Sequence, residues 1–446
     1  MKPKIYSQIY TQLGDLVTPV SVYLKIREQY PVSALLESSD YQGKENSYSF
    51  IAFHPLDSLV IEGNQKNVIE KLESFTNKYN LITDSVLASV FNGAFGYLSF
   101  ESVRYFDSYS TINPSDIPEI KFTYYKYIIA FDHFNSKLHI IENKLDPAEA
   151  SNIEPIKKMI NQLNGAQFDF AAQNKQSSIS TNEFKELVTK AKQHCKRGDV
   201  FQLVLSRPYQ RAFQGDEFNV YRALRSINPS PYLFYFDFGS FKLMGSSPEA
   251  QIIVKDQKAE IHPIAGTVKR TGEDVEDEAA AERLKVDPKE NAEHAMLVDL
   301  ARNDLSKSCK QVVVDKEKHL QHFSHVIHLV SIIKGNLRAE SSPIKALAHS
   351  FPAGTLSGAP KFKAVELITT YEKQTRGFYG GTIGYINFKG DLNMAIMIRS
   401  LMSKNNTLHY QAGAGIVIDS VEENELQEVE NKLGAINQAI ELAEQI

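Results

Sequence analysis

The chain contains no tryptophan, two cysteines and no lysine- or arginine-rich block. Each shortage excludes something. With 25 Phe and 21 Tyr but no indole, the aromatic part of any core is built from phenyl and phenol rings. Cys195 and Cys309 are too few for a framework of disulfides, which predicts a reducing, cytoplasmic setting. A formal net charge of −5 with mixed signs lacks the basic face of a general nucleic-acid binder. No window supplies the ~20 apolar residues of a membrane span, and Met1 to Tyr10 has no apolar signal core. Neither nucleic acid nor membrane is therefore expected as a partner. The 446 residues allow two or three domains at roughly 150 residues each, two being the safer count.

Up to Asn164, aromatic and β-branched runs at 48–53 and 124–131 predict strands, and 67–79 and 155–163 predict amphipathic helices. The following stretch is rich in Gln, Ala, Ser and Asn without periodicity and reads as a linker. The predicted division is thus 1–164, a linker at 165–181, and a second unit at 182–446. From 182 a helix to 197 precedes strands at 200–206, 232–238, 242–245, 251–255 and 259–261. A strand at 326–334 and a helix at 361–371 follow. Strands at 380–388 and 391–402 are joined by a tight hairpin at Lys389-Gly390. A strand at 410–418 and one closing helix at 423–446 complete the pattern. Neighbouring strands with helices set apart predict an α+β architecture with antiparallel sheets.

Residues 263–304 carry the clearest chemical signal. Pro263-Ile264-Ala265-Gly266-Thr267 reads as a loop whose glycine lets backbone approach something closely. In the helix that follows, Glu290 and Glu293 stand one turn apart and lean to one side, as oxygen ligands for a hard cation would. Glu425 and Glu428 form a second i, i+3 pair; a solvated face explains them, and so would Glu428 joining Glu293 around Mg²⁺. Gly413 and Gly415 flank Ala414 and leave peptide N–H groups open to an anion, although a bulge or close strand packing would also call for glycine. Arg399 ends an apolar strand, where a guanidinium needs an anion: a structural carboxylate or a ligand's.

His322, His325 and His328 lack a neighbouring cysteine, and on a strand the last two face opposite ways, which argues against zinc. His328 facing a cavity as an acid or base is the preferred reading, with a hydrogen-bonded core histidine as its alternative. Ala353 to Lys361 lacks the Gly-Lys-Ser/Thr of a phosphate loop, but could cap a polar ligand at the following helix.

The order and wording of these segments resemble the chorismate-using enzymes. Residues 182–443 are similar to the catalytic domain shared by anthranilate, aminodeoxychorismate, isochorismate and salicylate synthases. The part before the linker resembles the N-terminal region of anthranilate synthase large subunits. The resemblance implies large antiparallel sheets packed as a sandwich with helices outside. It implies Mg²⁺ held by Glu293 and Glu428 against the ring carboxylate of chorismate, with Gly266, Thr267 and Thr355 around the ring. Arg399, Tyr379 and the Gly413–Ala414–Gly415 backbone would bind the pyruvyl carboxylate. Glu249 would protonate the departing C4 hydroxyl, which requires a carboxyl kept neutral, and His328 would assist elimination of pyruvate.

Two positions separate the siblings. Gln202 stands where isochorismate and salicylate synthases carry a water-activating lysine, and Ala265 where aminodeoxychorismate synthases carry a nucleophilic lysine. Both imply anthranilate synthase: chorismate and ammonia give anthranilate and pyruvate through 2-amino-2-deoxyisochorismate, the first committed step toward tryptophan. The rivals are an aminodeoxychorismate synthase component of folate synthesis and a non-catalytic tryptophan-binding relative. Neither cysteine sits in a glutaminase elbow, so the family implies ammonia from a separate glutamine amidotransferase small subunit. Leu35-Leu36-Glu37-Ser38 and Asn228-Pro229-Ser230-Pro231-Tyr232 resemble the two halves of a tryptophan effector site. Its expected lining is Glu37, Ser38, Asn228, Pro231, Tyr232 and Leu233, the last replacing a frequent methionine. A chain needed when tryptophan is scarce also gains from containing none.

Overall fold

The computed structural model describes residues 2–38, 48–109, 113–162, 165–322 and 326–446, without the side chains of Thr267, Lys269, Lys289 and His322. His325 and Asn164 lie outside the described residues.

One hydrogen-bonded succession of strands runs through the molecule. Gln202–Gly215 pairs with Thr407–Ile416, which pairs with Ser400–Lys404, then Lys242–Ser247, then Tyr232–Asp237. There the N-terminal part enters: Tyr232–Asp237 pairs with Ser33–Glu37, and that strand pairs with Tyr48–Ile61. Tyr48–Ile61 pairs with Ile120–Asp132, which pairs with Gly93–Leu98. Gly93–Leu98 hands back to the C-terminal part through Thr382–Asn387, Leu392–Ile396 and Ala250–Lys255. All these pairings are antiparallel. Strands from both sides of the 165–181 stretch thus share one sheet system. The stretch expected as a linker contributes Phe170–Ala172, a short strand paired to the end of Gln202–Gly215.

Alternation along the strands explains the two cores. Ile51, Phe53, Tyr127 and Ile129 enter one apolar cluster, while Phe50, Ala52, Ile128 and Ala130 enter the other. Strands buried on both faces read as nearly continuous apolar and aromatic runs, as 124–131 does apart from Lys126.

Three expectations need correction. The strand foreseen at 391–402 is two, Leu392–Ile396 and Ser400–Lys404, because Arg399 adopts φ 49° and turns the chain between them. The closing helix is two, Glu422–Lys432 and Gly434–Ala443, meeting at Leu433. The 263–267 loop is the start of a strand, Ile264–Lys269, with its register broken between Ala265 and Thr267. Gly266 makes that bulge. Its φ is 70°, and a Cβ there would lie 2.6 Å from Leu284 and 3.0 Å from the Glu290 carboxylate.

The helix Thr181–Arg197 delivers the chain to the Gln202 strand. It begins with a capping box between Ser180 and Glu183 and ends at Gly198, φ 79°. No described helix is long and apolar enough to cross a membrane.

Candidate active site

Four backbone features bring the chemistry together. Glu249 lies in the short connection between Lys242–Ser247 and Ala250–Lys255, with its carbonyl accepting from Ile396 N–H at 3.0 Å. The Arg399 carbonyl accepts from Ser246 N–H at 3.1 Å, so the turned segment 397–399 crosses beside Glu249. Its left-handed φ therefore aims a guanidinium where a continued strand would not.

Glu249 is 8% exposed, and the Thr355 hydroxyl is 3.3 Å and 3.4 Å from its two oxygens. Burial pushes its carboxyl up to about 8, against the pull of Thr355, Arg399 and Lys432. At neutral pH it is mostly protonated. Burial likewise pulls the Arg399 guanidinium down, with the Glu249 carboxyl opposing.

His328 lies on Val326–Leu337, opposite Thr267 of the bulged strand, and is 2% exposed. Its Nδ1 is 3.4 Å from the Gly266 carbonyl. A carbonyl only accepts, so Nδ1 carries the proton and Nε2 the lone pair. Burial, then the Arg399 charge, pull the imidazole down to about 4. It is a neutral base at physiological pH.

The Tyr379 hydroxyl lies against the backbone of Gly413. A Cβ on Gly413 would lie 3.1 Å from that hydroxyl, and one on Gly415 would lie 2.6 Å from Gln202 Nε2. At Gly413 the Leu205 carbonyl is nearer still, 2.8 Å from such a Cβ, so close packing calls for glycine at both positions. Ala414 between them is buried.

Two carboxylates flank this strand. Glu293, on Pro288–Ser308, accepts from Gln202 Nε2 at 3.1 Å. Glu428 is ion-paired to Lys432 at 2.6 Å, and Lys432 also donates to the Gly413 carbonyl at 2.9 Å. Oxygen donors, each with its charge partly answered by a nitrogen, suit a hard divalent cation that keeps waters and takes its remaining ligands from substrate. Among the described residues no cluster of three or more His, Cys, Asp or Glu could hold a metal, so Glu293 and Glu428 could supply only part of a coordination shell.

The structure therefore gathers Glu249, Thr355, Arg399 and His328 with Gly266, and Tyr379, Gly413, Gly415, Glu293 and Glu428 around the glycine strand. The side chain of Thr267 lies outside the described part, but its backbone faces His328. Glu425 is buried while Glu428 is half exposed, so the i, i+3 pair divides its roles. The 353–361 segment makes a helical turn, Gly354–Ser357, that presents Thr355; Lys361 turns away to Asp304 and the Ser350 carbonyl. Sequence reasoning missed Lys432. Its signal was an ordinary i, i+4 Glu–Lys spacing, which surface helices use everywhere.

A separate cavity of about 520 Å³ opens where the N-terminal strands meet the C-terminal ones. Glu37, Ser38, Pro231, Tyr232 and Leu233 line it, together with aromatic residues such as Phe50 and Tyr385. Glu37 is held by the Tyr221 hydroxyl at 2.6 Å and Arg225 Nε at 2.9 Å. Asn228 does not line this cavity; it bonds to Ser230 and Ser246 behind it.

A family model described as chorismate binding enzyme matches residues 33–438. Anthranilate synthase component 1 of Aquifex aeolicus is 36% identical, covering 98% of this chain and 95% of its own. That of Thermus thermophilus is 37% identical, covering 97% of both. The crystal structure of anthranilate synthase component I from Streptococcus pneumoniae superposes with a TM-score of 0.79 at 32% identity, covering 95% of this chain and 98% of that one.

Proposed function

This chain belongs to the chorismate binding enzymes, and on that premise we propose that it acts as component 1 of an anthranilate synthase. Chorismate and ammonia would give anthranilate, pyruvate and water. The observation that carries this reading is the pairing of a protonated Glu249 with a neutral His328 in one site. The reaction needs an acid and a base at the same pH, and two environments pull these groups in opposite senses.

In the first step ammonia bonds to C2, the ring double bonds shift, and the C4 hydroxyl leaves as water with the proton held on the Glu249 carboxyl; the ammonium formed at C2 then gives up one proton, which restores the Glu249 acid. Thr355 orients that carboxyl. Arg399 and the Tyr379–Gly413 wall hold the pyruvyl carboxylate and so fix the ring between acid and base. In the second step Nε2 of His328 takes the C2 proton as the ether bond to the side chain breaks, the ring becomes aromatic, and the leaving enolpyruvate takes up a proton. Bound Mg²⁺, held by Glu293 and Glu428, would neutralise the ring carboxylate and draw electron density from the ring. Ala265 is buried on the strand beside His328 and carries no amine, which favours direct attack by ammonia over a covalent route. Gln202 offers an amide, not a base for water.

The partner that supplies ammonia would be a glutamine amidotransferase subunit, and the 520 Å³ cavity would take tryptophan as inhibitor. Its acidic Glu37 could meet the ammonium group and its apolar walls the indole.

Purified protein incubated with chorismate, Mg²⁺ and ammonium salt at alkaline pH should release fluorescent anthranilate and an equal amount of pyruvate. A stable amino-deoxy product without pyruvate would replace this reading with aminodeoxychorismate synthesis. No turnover would leave a binding protein.

A further inference from the structure

Behind Tyr379 lies a buried ionic framework that none of the steps above uses. Arg376 is 3% exposed. Its guanidinium donates twice to the Glu372 carboxylate, at 2.8 Å and 2.6 Å, and to the carbonyls of Leu356 at 2.6 Å and Val204 at 2.8 Å. Glu372 in turn accepts from the amide and the hydroxyl of Ser206, each at 2.8 Å, and Gln411 donates to that hydroxyl at 2.6 Å. One guanidinium thus ties the turn bearing Thr355 to the Gln202–Gly215 strand, while Ser206 carries the tie to the strand that reaches Gly413.

The remaining member comes from far away in the chain. Glu101 sits in the helical turn Phe100–Tyr105, directly after the N-terminal strand Gly93–Leu98. One of its oxygens accepts from the backbone N–H of Arg376 at 2.8 Å and of Gly377 at 3.1 Å. Phe100 N–H donates to the Gly377 carbonyl at 2.8 Å. The Phe100 ring lies under the Arg376 guanidinium at 4.7 Å, and the Tyr379 ring lies 5.7 Å from the same group. Tyr379 N–H closes the turn on the Arg376 carbonyl at 3.1 Å.

A carboxyl is an expensive way to accept two N–H bonds. Glu101 is 3% exposed, its second oxygen has no hydrogen-bond partner among the described residues, and burial pushes it up to about 7. An asparagine or serine could cap the turn without that cost. What the longer side chain gains is reach: it crosses from the N-terminal segment to the turn that carries Tyr379.

We infer that Glu101 is a positioning residue for the candidate site, holding the Arg376–Gly377 turn so that the Tyr379 hydroxyl sits against Gly413. The inference rests on the reading of Tyr379 and Gly413 as the site of the pyruvyl carboxylate. Glu101 touches no reacting atom, so its removal should weaken substrate binding more than chemistry.

The test is steady-state kinetics with chorismate and ammonium on the full chain, comparing Glu101→Ala, Glu101→Gln, Tyr379→Phe and the Glu101→Ala/Tyr379→Phe double variant. Wild-type turnover is the check on the proposed function, and its absence would overturn both readings. Given turnover, Glu101→Ala should raise KM for chorismate about tenfold with kcat within about twofold. Glu101→Gln, which keeps an accepting oxygen, should restore KM to within about threefold of wild type. In the Tyr379→Phe background Glu101→Ala should add less than about twofold, because the hydroxyl it places is gone. Multiplicative losses in the double variant, or a fall in kcat at constant KM, would overturn the inference. Should Glu101→Ala not fold, Glu101→Asp takes its place: one methylene shorter, it should raise KM alone, and an unchanged KM would overturn the inference.

Discussion

Gln202 Nε2 donates to Glu293 Oε1 at 3.1 Å, joining residues 91 positions apart, and it does so beneath Gly415, where a Cβ would strike the same amide at 2.6 Å. The amide, the glycine and the carboxylate form one unit. A partner that orients a metal-binding carboxylate commonly changes affinity by about 10- to 100-fold when removed. Gln202→Ala should therefore weaken Mg²⁺ binding at least about tenfold by calorimetry on the full chain. Unchanged Mg²⁺ affinity would show that the contact does not prepare a metal site.

Glu249 allows a prediction about stability as well as rate. Its carboxyl is raised from 4.5 to about 8 in the folded protein. The folded state then binds more protons than the unfolded one between those values. The favourable contribution is complete below about pH 4.5 and is lost as pH rises through 8, by at most about 1.4 kcal/mol per pH unit. Glu249→Gln stays neutral throughout, so its unfolding free energy relative to wild type should rise from pH 5 to pH 8. Denaturant curves at three pH values measure this; a constant difference would mean that Glu249 is ionised in the fold. The same variant should lose about 10²- to 10⁴-fold in kcat as general acid.

His328→Ala removes the neutral base while leaving the acid in place. The aminated intermediate should accumulate and little pyruvate should form, followed by chromatography of the products. Pyruvate release at the wild-type rate would take His328 out of the mechanism.

Tyr232 and Leu233 line the cavity between the N-terminal and C-terminal strands together with Glu37 and Ser38, which are remote in chain order but at the end of the strand paired to theirs. Tyr232→Ala should weaken inhibition by tryptophan at least about tenfold, with ammonia-dependent turnover held within about twofold, since Tyr232 belongs to neither acid nor base. Equal inhibition of variant and wild type would place the effector elsewhere.

Much of the site was legible because short motifs carry their own geometry. A glycine pair in a strand, a carboxylate pair one helical turn apart and an arginine ending an apolar run each point to chemistry. Where local pattern misled, a backbone φ was the cause. Nothing in Met397-Ile398-Arg399-Ser400 signals a left-handed residue, so one strand was expected over 391–402 where the chain in fact breaks at Arg399. At Gly266, a glycine read as loop became a bulge because the neighbouring strand Val326–Leu337 pairs on both sides of it.

Composition and motif order determined which residue types are available and at which spacings, and the resemblance they carry set Ala265 and Gln202 against the lysines of related enzymes. Only the tertiary structure decided their states. A glutamate is a proton donor or a charge according to how much water it keeps, and burial beside Thr355 and Arg399 is a property of packing that no linear pattern records. The same holds for Glu101 and Arg376, 275 residues apart, whose contact exists only because strands from both ends of the chain share one sheet.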